Sequence, residues 1–135
     1  MIKLSFGHQW NTPRGVFRNI REIIRYCHDF IERGANGWAK RDTYCLDNYL
    51  SKVISGTVAH LKLIGTGFPA DLNEKKWDAI LEEISSGFKG YLEIVNMGDD
   101  WSGETESYKE AYDKSVKNLN KSIKLMAKYF PSLWD

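Results

Sequence analysis

The chain has few of the features that assign a protein at sight. Of its 135 residues only two are cysteine, Cys27 and Cys45, which excludes a disulfide framework and suits a reducing compartment. No apolar run approaches the roughly 18 residues of a membrane span, and the opening Met1-Ile2-Lys3-Leu4-Ser5-Phe6 is too short for a signal peptide. A soluble cytoplasmic protein with no membrane partner is therefore expected. The three histidines, His8, His28 and His60, lie far apart and show neither HExxH nor CxxC-type spacing, so no metal site is expected. No glycine-rich phosphate loop follows a strand; Gly65-Thr66-Gly67 reads as a helix stop, and no cofactor is implied. Arginine is absent after position 41.

The apolar share of 42% and aromatic share of 13% place the chain among globular proteins, with enough length to bury a core as one domain. The net charge of +1 hides an asymmetry. Residues 1–67 carry ten Lys/Arg against five Asp/Glu, and residues 68–135 carry nine against thirteen. The halves either pair with each other or offer an anionic ligand one face.

Four helices are expected, at about 13–33, 43–64, 74–96 and 105–129, behind a short N-terminal arm at 1–11. Thr12 as N-cap and Pro13 at the first helical position start the first, and Gly34 and Gly37 break it. Asp42 is the expected cap of the second, whose stripe is Leu46, Tyr49, Leu50, Val53, Ile54, Val58, Leu61 and Ile64. Asn73 caps the third, with Trp77, Ile80, Leu81, Ile84, Phe88, Tyr91, Leu92 and Val95 as its apolar face. After the polar loop Gly98–Gly103, the fourth turns Tyr108, Ala111, Tyr112, Leu119, Ile123, Met126 and Phe130 inward and stops before Pro131. Short links favour antiparallel neighbours, so the fold expected is an all-α, antiparallel four-helix bundle-like domain. Leu133 and Trp134 are expected to dock on it, while Trp10 fits either core or interface.

Arg14, Arg18, Arg21 and Arg25 fall at spacings of four, three and four, within about 60° of one another on a helix. His28 continues the line, with no acidic residue in it before Glu32. Val16, Phe17, Ile20, Ile23, Ile24, Cys27, Phe30 and Ile31 fill the other side. Four like charges at this spacing repel by a few tenths of a kcal/mol per pair, and the planar guanidinium suits phosphate and carboxylate. The ridge reads as an anion-binding surface, or as plain surface paired with the acidic half. Next to it, Trp38, Lys40, Arg41 and Tyr44 gather two aromatics and two cations at a helix N-terminus, where a base can stack and phosphate be held. The plain alternative is a capped helix with Trp38 covering the bundle end.

Asp47, at the edge of the second helix's stripe, calls for a cationic partner, either a helix-1 arginine or Arg41. Lys114, Lys117, Lys121, Lys124 and Lys128 form a second basic line that reads mainly as solubilising surface. Glu110 and Asp113 match one ExxD motif of all-helical, magnesium-dependent nucleotide pyrophosphohydrolases, but Asp78, Glu82 and Glu83 have the wrong spacing for its partner motif.

The run Arg41-Asp42-Thr43-Tyr44-x-Leu46-Asp47-x-Tyr49-Leu50-Ser51-Lys52-Val53-Ile54, with Ala59-His60-Leu61, Gly67-Phe68-Pro69 and Trp77-Asp78-x-Ile80-Leu81-x-Glu83-Ile84-x-x-Gly87-Phe88, resembles a group of small uncharacterised proteins of tailed bacteriophages. The resemblance spans roughly residues 38–95 and carries no catalytic residues. It implies a phage product acting in the cytoplasm of a bacterial host cell. The function expected is non-catalytic: a counter-defence inhibitor binding an anionic small molecule such as a nucleotide, a nucleic acid, or an acidic host or phage protein surface, with a homo-oligomer compatible. Two alternatives stand beside it, a virion structural or assembly accessory and a magnesium-dependent all-α nucleotide hydrolase.

Overall fold

A computed structural model describes residues 13–65, 67–97 and 105–133. The expected arm at 1–11, the Thr12 cap, the loop Gly98–Gly103 and Trp134 lie outside them. The described residues are all-α: helices α1 (Pro13–Asn36), α2 (Leu46–Ile64), α3 (Glu74–Met97) and α4 (Thr105–Tyr129), with 3₁₀ turns at Lys40–Thr43 and Phe130–Ser132. None of these helices is long and apolar enough to cross a membrane. The chain forms two compact units, Met1–Leu46 and Asp47–Asp135.

In the second unit, α3 is the central element. Its turns place Trp77, Leu81, Ile84 and Phe88 on one buried line, which meets Val58 of α2 and Tyr129 at the end of α4. Ile54, Leu61, Leu119, Leu125, Met126 and Leu133 complete this core, so the expected docking of Leu133 is met. Trp77 and Tyr129 meet edge to face, with centroids 5.7 Å apart and planes at 71°. Asn73 caps α3 as expected, its Oδ1 accepting the Lys76 N–H at 2.9 Å.

Both neighbours run antiparallel to α3. On the α2 side, Ser85 Oγ donates to the Ser55 carbonyl at 2.9 Å, Lys62 pairs with Glu82, and Tyr91 reaches Asp47. On the α4 side, Ser122 Oγ donates to the Glu83 carbonyl at 2.7 Å and Lys121 pairs with Glu83. The α3–α4 contact is set by a missing side chain. A Cβ at Gly87 would lie 2.8 Å from Ser122 Cβ and 3.1 Å from the Asn118 carbonyl oxygen. This close approach moves the buried face of α4 from its expected position. Ser115, Ser122 and Tyr129 are buried, whereas Ile123 and Phe130, expected inward, are 41% and 66% exposed.

Other expectations are corrected in detail. α1 runs through Gly34 and stops at Gly37, whose φ of +80° turns the chain as its N–H bonds to the Arg33 carbonyl at 2.9 Å. Asp42 is not the cap of α2; it lies in the 3₁₀ turn, and α2 begins at Leu46. Asp47 takes no arginine. Tyr91 Oη donates to it at 2.7 Å, which holds the carboxyl below its ordinary pKa and raises that of the phenol. In α1 the buried positions are Gly15, Asn19 and Asp29, while the apolar line from Phe17 to Ile31 is exposed.

Two glycines of α3 separate packing from propensity. A Cβ at Gly90 meets nothing within 4 Å, so Gly90→Ala should stabilise the unit by about 0.5–1 kcal/mol. Gly87→Ala should instead destabilise it by about 1–3 kcal/mol, since the same gain in propensity is overwhelmed by the clash with Ser122. Chemical denaturation of the two variants checks the opposite signs. Tyr91→Phe should cost about 1 kcal/mol near neutral pH, because the half-exposed bond is partly replaced by water. Since the Asp47 pKa is lowered on folding, that difference should be complete above the ordinary value of 3.8 and shrink as the pH falls through the lowered one.

Candidate functional site

All nine candidate residues lie in the first unit, on α1 and the segment that folds back onto it. The ridge is formed as expected. Arg14, Arg18, Arg21 and Arg25 are exposed on α1, and His28 follows them, also exposed. Arg25 Nη1 lies 3.9 Å from Glu22 Oε1, too far for a hydrogen bond. Among the described residues, Arg14, Arg18 and Arg21 make no ion pair.

The chain after α1 is tied down by polar contacts. Gly37 reverses its direction, and the turn Lys40–Thr43 then meets three side chains near the C-terminal end of the helix. Arg41 Nη1 pairs with Asp29 Oδ2 at 3.0 Å. The Lys40 N–H donates to Glu32 Oε2 at 2.9 Å. Arg33 grips Asp42 with both Nε and Nη2, the Nε bond being 2.9 Å, and Asp42 Oδ2 also accepts the Ala39 N–H at 2.8 Å. The bidentate geometry suits a carboxylate held away from water. The Arg33 hydrogen bonds, opposed by burial and aided by the Ala39 N–H, keep the Asp42 pKa below its ordinary value.

This arrangement divides the candidates. Arg41 is committed to buried Asp29 and stacks over the Tyr26 ring, 5.8 Å from its centroid, so it holds the turn in place. The Lys40 side chain is exposed while its backbone anchors the turn. Trp38 and Tyr44 flank the turn at 49% and 78% exposure, available for stacking. Glu32 lies one turn beyond His28 on the ridge line, and its Oε2 is 3.9 Å from His28 Nδ1 as well as bonded to Lys40. The anchored turn therefore begins where the cationic line ends.

His28, Asp29 and Glu32 bring possible metal-ligand atoms within 4.8 Å of one another. Arg41 and the Lys40 N–H already engage the two carboxylates, so a cation there would compete with the contacts that fix the turn. The acidic residues considered for hydrolase chemistry do not converge on a free cluster: Glu82 pairs with Lys62, Glu83 with Lys121, and Glu110 and Asp113 are exposed on α4.

The anchoring pairs were not anticipated, although a signal for them was present. Asp29 and Glu32 approach the C-terminal end of α1, where a helix dipole disfavours acids and calls for cations to return. Asp42→Ala removes the acceptor of both Arg33 and Ala39, so amide exchange around residues 39–44 should accelerate by tenfold or more while that of α3 is unchanged. Because the Asp42 pKa is lowered, protection of the wild-type turn should be full above 3.8 and fall as the pH drops through the lowered value. No family model matches the chain, and comparison with curated proteins and with solved structures likewise finds no match.

Proposed function

We propose that this is a non-catalytic binding protein whose ligand is anionic and is held by Arg14, Arg18, Arg21 and Arg25, with Trp38, Lys40 and Tyr44 extending the surface. One observation carries this reading. The chain uses Arg33 and Arg41 in short ion pairs but leaves Arg14, Arg18 and Arg21 exposed with no ion pair among the described residues. Guanidiniums on adjacent turns repel one another, and a phosphate or carboxylate bridging them converts that repulsion into charge-assisted hydrogen bonds. The aromatic rings beside the anchored turn add a stacking surface, which favours a nucleotide or nucleic acid over a simple anion.

The setting follows from the resemblance of residues 38–95 to small phage proteins: a counter-defence inhibitor in the cytoplasm of an infected bacterium, sequestering its ligand without altering it. Arg41 supports this surface through Asp29 rather than by touching the ligand.

Native mass spectrometry of protein purified from infected cells should show an added mass in the nucleotide range. Fluorescence anisotropy with a labelled single-stranded oligonucleotide and with labelled ATP gives the direct test. At least one probe should bind in a salt-dependent manner, and Arg18→Glu with Arg21→Glu should weaken it at least a hundredfold while the melting temperature moves by no more than a few degrees. An unliganded mass together with no probe binding removes the nucleotide reading. A large fall in melting temperature would make these arginines structural.

A further inference from the structure

The other exposed surface of α1 is apolar. Phe17, Ile20, Ile23, Ile24, Phe30 and Ile31 all lie open, Phe17 and Phe30 at 72% and 74%, and Cys27 among them is exposed as well. With Val16 they repeat every seven residues: Val16, Ile23 and Phe30; Phe17, Ile24 and Ile31; Ile20 and Cys27. Written as a heptad, this broad apolar face has Ile20 and Cys27 at a, the Val16 series at d and the Phe17 series at e, a surface wide enough to seat another helix. In that frame Arg14, Arg21 and His28 occupy b, and Arg18 and Arg25 occupy f, all outside the seam.

We infer that the apolar face of α1 is the docking site for α1 of a second copy, the two helices packing antiparallel about a two-fold axis between Ile23 and Ile24. Three features favour this occupant. The face is self-complementary: reversing a copy about that axis opposes Val16 to Ile31, Phe17 to Phe30, Ile20 to Cys27 and Ile23 to Ile24, so every member meets an apolar residue. The six large exposed side chains offer on the order of 700 Å² per copy, more than a typical monomer leaves in one patch and near the half-share of a standard interface.

The charges agree as well. The arginine ridge is centred roughly 140° from the apolar face, so it remains in solvent on both copies and like charges are kept apart. The antiparallel sense also opposes the helix dipoles. A bilayer fits less well, because the flank of α1 away from the ridge carries Asn19, Glu22 and Asp29 in place of cations. Pairing would give an assembly with two outward arginine ridges. It is independent of what those ridges bind.

Sedimentation velocity over a hundredfold range of concentration should show a monomer–dimer equilibrium, lost in Ile24→Glu at unchanged helix content by circular dichroism and retained in Arg18→Glu with Arg21→Glu. The register is tested separately in a Cys45→Ser background. Ile20→Cys should yield a disulfide-linked dimer through Cys27 of the second copy under mild oxidation, whereas Arg18→Cys should not. A monomer at every concentration, a dimer indifferent to Ile24→Glu, or equal cross-linking from positions 18 and 20 would overturn the pairing. So would a monomeric protein with the position-20 thiol shielded from alkylation, since the face would then be covered within the chain. A wild-type protein that dimerises but binds neither oligonucleotide nor ATP would count against the ligand reading alone.

Discussion

The close approach at Gly87 is the constraint on which the second unit depends. With no side chain there, Ser122 enters the surface of α3 and donates to the Glu83 carbonyl, and the helices meet backbone to side chain. The approach aligns Tyr129 with Trp77 and Tyr112 with Tyr91, whose ring centroids are 6.3 Å apart. It also explains why small hydroxyl residues occupy buried positions where a periodicity argument places larger apolar ones. Each serine hydroxyl donates to a backbone carbonyl, Ser122 to Glu83 and Ser85 to Ser55 across a helix contact and Ser115 to Tyr112 within α4. Close packing is therefore achieved without leaving these hydroxyls unpaired.

In the first unit the corresponding role falls to charge. The fold-back after Gly37 buries little apolar surface, Ala39 being its one buried apolar residue among positions 38–45, and is held by carboxylates that are buried because guanidiniums and backbone N–H groups meet them. Asp29 and Asp42 are 4% and 8% exposed, and each has an arginine within bonding distance. Buried carboxylates without such partners would carry a desolvation cost of several kcal/mol, so the turn and the two pairs form together or not at all. Arginine thus performs two tasks within 30 residues. At positions 33 and 41 it closes a turn, and from 14 to 25 it faces water.

How much of this was legible depended on whether a feature is periodic. α3 could be read almost to the residue, since Asn73 caps it and the line Trp77, Leu81, Ile84 and Phe88 states which side is buried. The arginine ridge could be read for the same reason, as a repeat along one helix. Features joining distant positions leave no such pattern. Asp47 calls for a cation by its position but is met by a tyrosine 44 residues away; no local pattern distinguishes a phenol from a guanidinium as its partner. Ile123 and Phe130 were expected to be buried because hydropathy ranks them above serine. That ranking gives way when a glycine on the opposing helix permits closer contact. Asp42 resembles a helix cap in sequence and does cap a backbone N–H, but at the 3₁₀ turn before α2.

The arrangement of α1 bears on both of its surfaces. An amphipathic helix ordinarily turns its apolar side to its own core and its charges to water. Here Gly15, Asn19 and Asp29 are the buried positions, leaving the apolar and cationic faces open together. Their separation of roughly 140° means that one rigid partner seated on the apolar face cannot also cover the ridge. The two proposals assign these faces different occupants, one recognised by apolar shape and one by charge. The inferred pairing fills the first with a copy of the same helix, because a palindromic apolar line is complementary to itself. Under the proposed function the second takes an anion, and the b and f positions stay in solvent to receive it when the seam is filled. Substitutions on one face should therefore leave the other's interaction intact, a separability that a single composite interface would not show.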